Sequence, residues 1–385
     1  MKKQHRKQQG FSHHFILPVL AFIAVGAIGG YVISKSSAAS ITSKDVVYSV
    51  FPDAGGNAED FKFYHYSATG TTQYPSTVTD VIDVSANRKW VLTKDKNNTL
   101  SAVSIDGQTV TYPYTYTTNA ISARYTTSNK YDCTSPATTV RSALFSKTSS
   151  GVGAPSLYVA LETIACENGA LNFGGVTHRF YAVDTGTLKT ALTESLSSDS
   201  SFSWVKSTAT NGSALLEINH RYRVVSASGK SLYKAASTIK NIYLSENGKK
   251  ITYEKSGGFY VANSDGKKSK KIMTSYGRWL SGISPTGAYV LYHKDISKDG
   301  WKTGLYSYKI SSKKSVLLDS GTETKDRGHS MVWGERWLPG QDGVYYVKEA
   351  EETKKVEIKQ VNVNGKSKTT IFSSPFDAKK SVDLF

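Results

Sequence analysis

What the chain has little of narrows its class first. Two cysteines in 385 residues exclude a disulfide-dense scaffold, and a chain of this length buries a core without such staples. Nine prolines, and 31 glycines without a three-residue period, exclude collagen-like and Pro-rich stalk architectures. Acids are scarce, 31 against 48 Lys and Arg, which gives +17. Even so, charged residues are only 21% beside 39% hydrophobic ones, far from the composition of chains that stay disordered. Helical patterning is missing too: beyond Val46 no stretch keeps a 3.6-residue apolar period for three turns. Neither a phosphate loop nor the glycine pattern of dinucleotide-binding turns occurs, so no cofactor is expected.

One long hydrophobic run is present. Phe15 to Ile33 carries no charge over 19 residues, and as a helix it spans about 28 Å, close to the hydrocarbon thickness of a bilayer. Lys2, Lys3, Arg6 and Lys7 precede it without an acid, which predicts a cytoplasmic N-terminus and everything after Ser34 outside. The expected organisation is a basic cytoplasmic tail (1–14), a transmembrane helix (15–33), a linker (34–45) and an outer domain (46–385) at the cell membrane. The rival reading is a cleaved signal peptide and secretion, because Ser37, Ala38 and Ala39 are small enough for a peptidase. The run exceeds the roughly 7–15 residues of a signal-peptide core, which favours the retained single-pass anchor.

The outer region is all-β and repeats. Trp279 to Ile283, the turn Ser284-Pro285-Thr286-Gly287, then Ala288 to Tyr292 read as strand, tight turn, strand, and Gly304 to Ile310 and Ser315 to Leu318 add a second hairpin. Related units start at Ser85-Ala86-Asn87-Arg88 and Ser245-Glu246-Asn247-Gly248, and Arg336-Trp337 echoes Arg278-Trp279. Outer-hairpin pivots fall at Gly70, Gly107, Gly186, Gly229, Gly266, Ser312 and Gly365, mostly at the 40–50-residue spacing of propeller blades. The wider gap from Gly107 to Gly186 is read either as a hidden blade or as one enlarged blade, and it holds both cysteines. Seven four-stranded blades are expected, with six or eight left open. Closure is expected to pair Val46–Val50 with a strand near Thr369–Phe372.

The string Ser284-Pro285-Thr286-Gly287-Ala288-Tyr289-Val290, followed by Gly304-Leu305-Tyr306, resembles the repeat of bacterial TolB-like and WD40-like β-propellers. Their blades read Ser-Pro-Asp-Gly-Lys before an apolar strand; here Thr286 replaces the Asp, and Ser245-Glu246-Asn247-Gly248 lacks the Pro. The resemblance implies an extracytoplasmic scaffold for protein contacts, and related propellers also accompany some peptidases.

Signals for chemistry are sparse. Gly328-His329-Ser330-Met331-Val332 comes nearest to a nucleophile elbow but lacks its last glycine and its strand-turn-helix setting. His65, His178, His220, His293 and His329 have no metal-ligand partner at close spacing, so no metal is expected. Cys133 and Cys166 are expected to form one disulfide in an oxidising compartment. Arg278, Trp301, His329, Trp333 and Arg336 are the candidate binding residues, placed on the loops that join second to third strands and blade to blade. Lysine pairs recur beside hairpin turns, among them Lys267-Lys268 and Lys313-Lys314, and their first reading is protection of exposed outer edges.

Two functions stay open from sequence. The first is a non-catalytic, membrane-anchored scaffold that binds an envelope protein or an anionic surface polymer. Without the five bases of the first 35 residues, 43 bases still face 31 acids, and that excess attracts polyanions without implying a specific nucleic acid. The second is a carbohydrate-active or hydrolytic enzyme with loop carboxylates such as Asp295 and Asp299, set some 5–9 Å apart.

Overall fold

The computed structural model describes residues 45–385 except 53–60, 96–98, 116–136, 149–153, 168–169, 185–186, 197–202, 297–301, 322–329, 351–354, 376–379 and positions 79 and 219. The expected tail, membrane helix and nearly all of the linker therefore lie outside the described residues. No helix occurs among those described.

Strands β1 (Val46–Pro52), β2 (Lys62–Ser67) and β3 (Gly70–Gln73) come first. Six meanders of four consecutive strands follow. They are β4 (Val81–Val84), β5 (Trp90–Lys94), β6 (Thr99–Ser104) and β7 (Thr109–Thr115), then β8 (Ala137–Phe145), β9 (Leu157–Glu167), β10 (Ala170–Asp184) and β11 (Thr187–Leu196). Next are β12 (Ser203–Thr208), β13 (Ala214–Ile218), β14 (Arg221–Val225) and β15 (Ser231–Lys234), then β16 (Ile239–Leu244), β17 (Lys250–Lys255), β18 (Gly258–Asn263) and β19 (Lys270–Thr274). The last two are β20 (Arg278–Ile283), β21 (Tyr289–Asp295), β22 (Thr303–Lys309) and β23 (Lys314–Ser320), and β24 (Ser330–Trp337), β25 (Gly343–Ala350), β26 (Lys355–Asn362) and β27 (Thr369–Pro375). Strand β28 (Lys380–Leu384) then pairs with β1, Val50 opposite Val382, and completes a seventh four-stranded sheet with β2 and β3.

Each sheet buries a face against the next one. Val47 and Phe63 meet Val81 and Val91; Leu92 and Leu100 meet Val140 and Leu157; Tyr158 and Ala160 meet Leu216 and Val225. Leu215 and Val224 meet Ile242 and Ile251; Phe259 and Val261 meet Leu280 and Val290; Leu291 and Leu305 meet Val344 and Val361. The Tyr48 ring, 5.0 Å from that of Phe372, makes the last step. A sheet of four short strands buries two faces only when flanked on both sides, so the ring is what stabilises each blade. Second strands such as β5 and β13 are therefore almost wholly buried and lose the two-residue alternation, whereas the outer strand β3 is exposed throughout.

The turn between first and second strands has a repeated side-chain staple. The hydroxyls of Ser85, Ser245 and Ser284 accept the backbone N–H five residues on, from Trp90, Lys250 and Tyr289, at 2.9–3.1 Å. These turns also bond from blade to blade: Thr210 N–H donates to the Glu246 carbonyl, Asn247 N–H to that of Pro285, and Thr286 Oγ1 to Asp342 at 2.7 Å. The departure of Thr286 from the repeat's Asp thus has a cause, since Asp there would face the Asp342 carboxylate. Restoring the consensus with Thr286→Asp is expected to lower stability by about 1 kcal/mol, measured by urea unfolding, rather than raise it. A gain in stability would refute this account of the turn belt.

One expectation is corrected. The first strand pairs through Tyr48–Pro52 with Lys380–Leu384, not with Thr369–Phe372, which belongs to β27, the outer strand of the preceding blade. Of the two readings left open for the wide gap between Gly107 and Gly186, the enlarged blade is the one found: the gap leads into a single blade, β8–β11, whose β9 and β10 run 11 and 15 residues.

Candidate functional site

In an antiparallel meander the turns joining strands one to two and three to four lie at one end of the sheet, and the remaining loops lie at the other. Around the ring this makes a turn face and a loop face. The loop face was the expected binding surface, and most of it lies outside the described residues. Trp301 and His329 fall there. Trp333 lies in β24 opposite Val347, and its side chain is outside the described set. Cys133 is outside as well, and Cys166 is placed only by its backbone, opposite Leu171, so the expected disulfide also lies beyond what is described.

Arg278 and Arg336 do not belong to one site. Arg278 opens β20, opposite Lys294, while Arg336 sits near the end of β24, opposite Tyr345 and two residues before the turn at Leu338. The echoed Arg-Trp pairs are therefore offset by four residues against the turn, roughly 13 Å along a strand. Arg278 donates to the Thr274 carbonyl at 3.2 Å and to Thr274 Oγ1 at 2.9 Å, so its guanidinium holds its own loop. Its neighbours Tyr276, 94% exposed, and Trp279, 51% exposed, offer large apolar side chains at this end, as does Ile296.

The turn face holds the site with the most built chemistry. A cavity of about 240 Å³ lies among the first-to-second-strand turns, with Arg88, Lys147, Glu246, Arg336 and Trp337 in its wall. Arg88 occupies the fourth position of its turn, where Gly212, Gly248 and Gly287 stand in three other blades; its φ is 60°, in the left-handed region that glycine takes without strain. The Arg88 N–H still closes the turn on the Ser85 carbonyl, as the glycine N–H groups do in theirs. Its Nη1 donates to the main-chain oxygen of Phe385 at 2.7 Å, and burial pushes its pKa down from the ordinary arginine value. Asp83, also in the wall, is pushed up by burial although the Phe145 N–H donates to it at 2.7 Å.

A second polar cluster joins β20 and β21 of one blade to β24, the first strand of the next. His293 Nε2 lies 2.9 Å from Glu335 Oε1. Burial alone would raise Glu335, but hydrogen bonds from His293 and Ser281 hold it below the usual carboxylate range. Ser281 bonds the carboxylate rather than the imidazole, so the three groups do not form a hydroxyl-to-histidine relay. Asp295, the described member of the expected carboxylate pair, has an enclosed Oδ1 without a hydrogen-bond partner, and Asp299 lies outside the described residues. Among the described residues no group of three or more His, Cys, Asp or Glu is placed to hold a metal ion.

Neither a protein-family model nor a curated protein matches this chain. Solved structures do. The β-propeller domain of the Trilobed protease from Pyrococcus furiosus, described as having an open velcro topology, aligns over 87% of this chain and 96% of its own, at 10% identity and a TM-score of 0.52. The fold is a β-propeller. Two further similar structures are the "putative TolB" of Agrobacterium tumefaciens (10% identity, 89% and 99% covered, TM-score 0.36) and a puromycin-hydrolyzing peptidase of Mycobacterium tuberculosis (9%, 86% and 53%, TM-score 0.46). At such identities the likeness extends to the propeller architecture and not to an activity.

Sequence reading missed Arg88, His293 and Glu335 as site residues. Arg88 had a visible signal, a bulky cation in the turn slot that reads Gly in Ser245-Glu246-Asn247-Gly248 and Ser284-Pro285-Thr286-Gly287. For the pair His293 and Glu335, 42 residues apart on different blades, no local pattern exists.

Proposed function

We propose that this chain is a single-pass membrane protein whose outer, TolB-like propeller binds an envelope protein or an anionic surface polymer and performs no chemistry of its own. One observation carries the reading: the turn face is basic. The outer hairpins present Lys230, Lys267, Lys268, Lys313, Lys366 and Lys368, all exposed, on the side where Arg88 and Arg336 line the cavity. Lysine at an outer turn also discourages edge pairing. Every outer hairpin turn lies on this same face, so lysines placed there also converge on one end of the ring, and their summed field draws polyanions.

The test uses intact cells carrying the chain and a labelled polyglutamate as the polyanion. Capture is expected at low salt and is expected to vanish near 1 M salt, where the screening length falls to about 3 Å. Replacing Lys267, Lys268, Lys313 and Lys366 with Gln should weaken capture about tenfold or more. External protease should release the domain and abolish capture. Salt-insensitive capture would refute the charged-face reading, and a domain protected from protease would refute the outward orientation.

A further inference from the structure

We propose that one sector of the turn face, the outer hairpins of blades β16–β19, β20–β23 and β24–β27, docks on the anionic phospholipid headgroups of the bilayer that carries the chain. The inference rests on the anchored, outward-facing reading above and names the surface that its lysines meet.

Charge is not spread evenly around the turn face. The outer hairpins 263–270, 309–314 and 362–369 hold eight lysines and a single acid, Asp265. The other described outer hairpins, 67–70, 104–109 and 225–231, hold one charge of each sign, Asp106 and Lys230. All eight lysines are exposed. Two of them face carboxylates, Lys267 that of Asp265 at 3.6 Å and Lys368 that of Asp319 at 3.2 Å, and the other six carry the excess. The three hairpins belong to consecutive blades, so the excess forms one arc rather than a scatter.

The arc ends where the chain enters the ring. Strand β1 takes the second place in its sheet, after β28, so its start lies on the turn face. Phe385, in the wall of the turn-face cavity, donates its N–H to the Val47 carbonyl at 3.1 Å and marks the same end. Blade β24–β27 adjoins this sheet on the arc's side, through the rings of Tyr48 and Phe372. Eleven residues, 34–44, separate Asp45 from the apolar run, and fully extended they reach no more than about 40 Å. An anchored chain thus carries its lysine arc beside its own point of attachment. A soluble partner requires no such coincidence, whereas a docked bilayer does.

The residue type decides the class of partner. All the bases of the arc are lysines. Protein interfaces favour arginine and aromatic side chains and are depleted in lysine. Arginine's planar fork is also what holds a single carboxylate or phosphate in a fixed geometry. Lysine is a hydrated point charge on a flexible stem, which suits a fluid layer of headgroups that offers charge without a fixed pattern.

Lysine acetylation at low conversion, read by mass spectrometry, tests this on the full chain in nanodiscs of phosphatidylcholine with or without phosphatidylglycerol. Lys268, Lys313 and Lys366 are expected to react at least about fivefold more slowly where phosphatidylglycerol is present, and at equal rates in both discs near 1 M salt. Lys62 and Lys355, exposed at the starts of β2 and β26 on the loop face, should react alike in both. Equal rates for the arc lysines, or slowing of Lys62 and Lys355 to the same extent, overturns the docking. Polyglutamate capture without such slowing assigns the lysines to a soluble polymer and likewise overturns it. A domain that external protease cannot reach fails the anchored, outward reading itself, whereas equal rates in the discs fail the lipid contact alone.

Discussion

Val382→Asp is expected to open the propeller. Val382 is 4% exposed on β28, opposite Val50 of β1, and β28 is the strand through which the C-terminal end of the described chain completes the sheet of β1, β2 and β3. A carboxylate there has no cationic partner across the register, where Phe51, Val50 and Ser49 lie opposite Ser381, Val382 and Asp383. Burying it unpaired costs several kcal/mol, and the strand can avoid that cost by leaving the sheet. Departure of β28 exposes the face that Val47, Phe63 and the Phe385 ring share with the following blade. A loss of about 3–5 kcal/mol is expected, read as a lower urea midpoint, while Lys270→Asp on the exposed outer strand β19 should stay within about 0.5 kcal/mol. Equal midpoints for Val382→Asp and the parent would mean that β28 does not hold the ring.

That closure was the part of the fold least legible in the sequence. The pivots at Gly70, Gly107, Gly229, Gly266 and Gly365 were legible because a tight outer turn needs φ near +80° and glycine supplies it; all five have positive φ, from 75° to 127°. In the remaining described hairpin the left-handed residue is Lys313 at 55°, next to the expected Ser312, and no glycine marks it. A closing strand carries no comparable signal. Lys380 to Leu384 offers five residues with two apolar ones, and its partner is more than 300 positions away. The Arg-Trp echo misled for a different reason. Register against the turn depends on irregular pairings, between Leu280 and Gly282 in β20 and between Trp333 and Arg336 in β24, that identical dipeptides do not reveal. The charged turn face lay in plain sight as lysine pairs beside turns, but which end of the ring they share follows only from strand order.

Asp319 is a joint through which pH should act on the described fold. It lies in β23, 8% exposed, and fastens its blade to the next one. Its Oδ2 accepts the Tyr346 hydroxyl at 2.6 Å, and its Oδ1 accepts from the Lys348 ammonium at 3.0 Å and from the Ser320 N–H at 2.8 Å. Lys368 lies 3.2 Å from Oδ2, partly in solvent. Burial by itself would raise the carboxyl, but the hydrogen bonds from Tyr346 and Lys348 and the ammonium charge outweigh it, and its pKa is lowered. Burial and the same carboxylate push the Tyr346 phenol up, so it stays a donor. A depressed carboxyl contributes stability that is fully present above the unfolded value near 3.9 and is lost as the pH falls through the lower folded value. Asp319→Ala strands Tyr346 and Lys348 without their acceptor and should cost about 2–4 kcal/mol at pH 7. Asp319→Asn keeps the volume, loses the charge, and should fall between the two. The decisive measurement is the urea midpoint of the parent and of Asp319→Asn from pH 7 down to pH 2.5. The gap between them should be constant to about pH 4 and close below it, because the parent alone loses the ionised clasp. A gap that persists into acid would show that Asp319 contributes through shape and hydrogen bonding, and that the charge of the carboxylate adds nothing to the joint between the two blades.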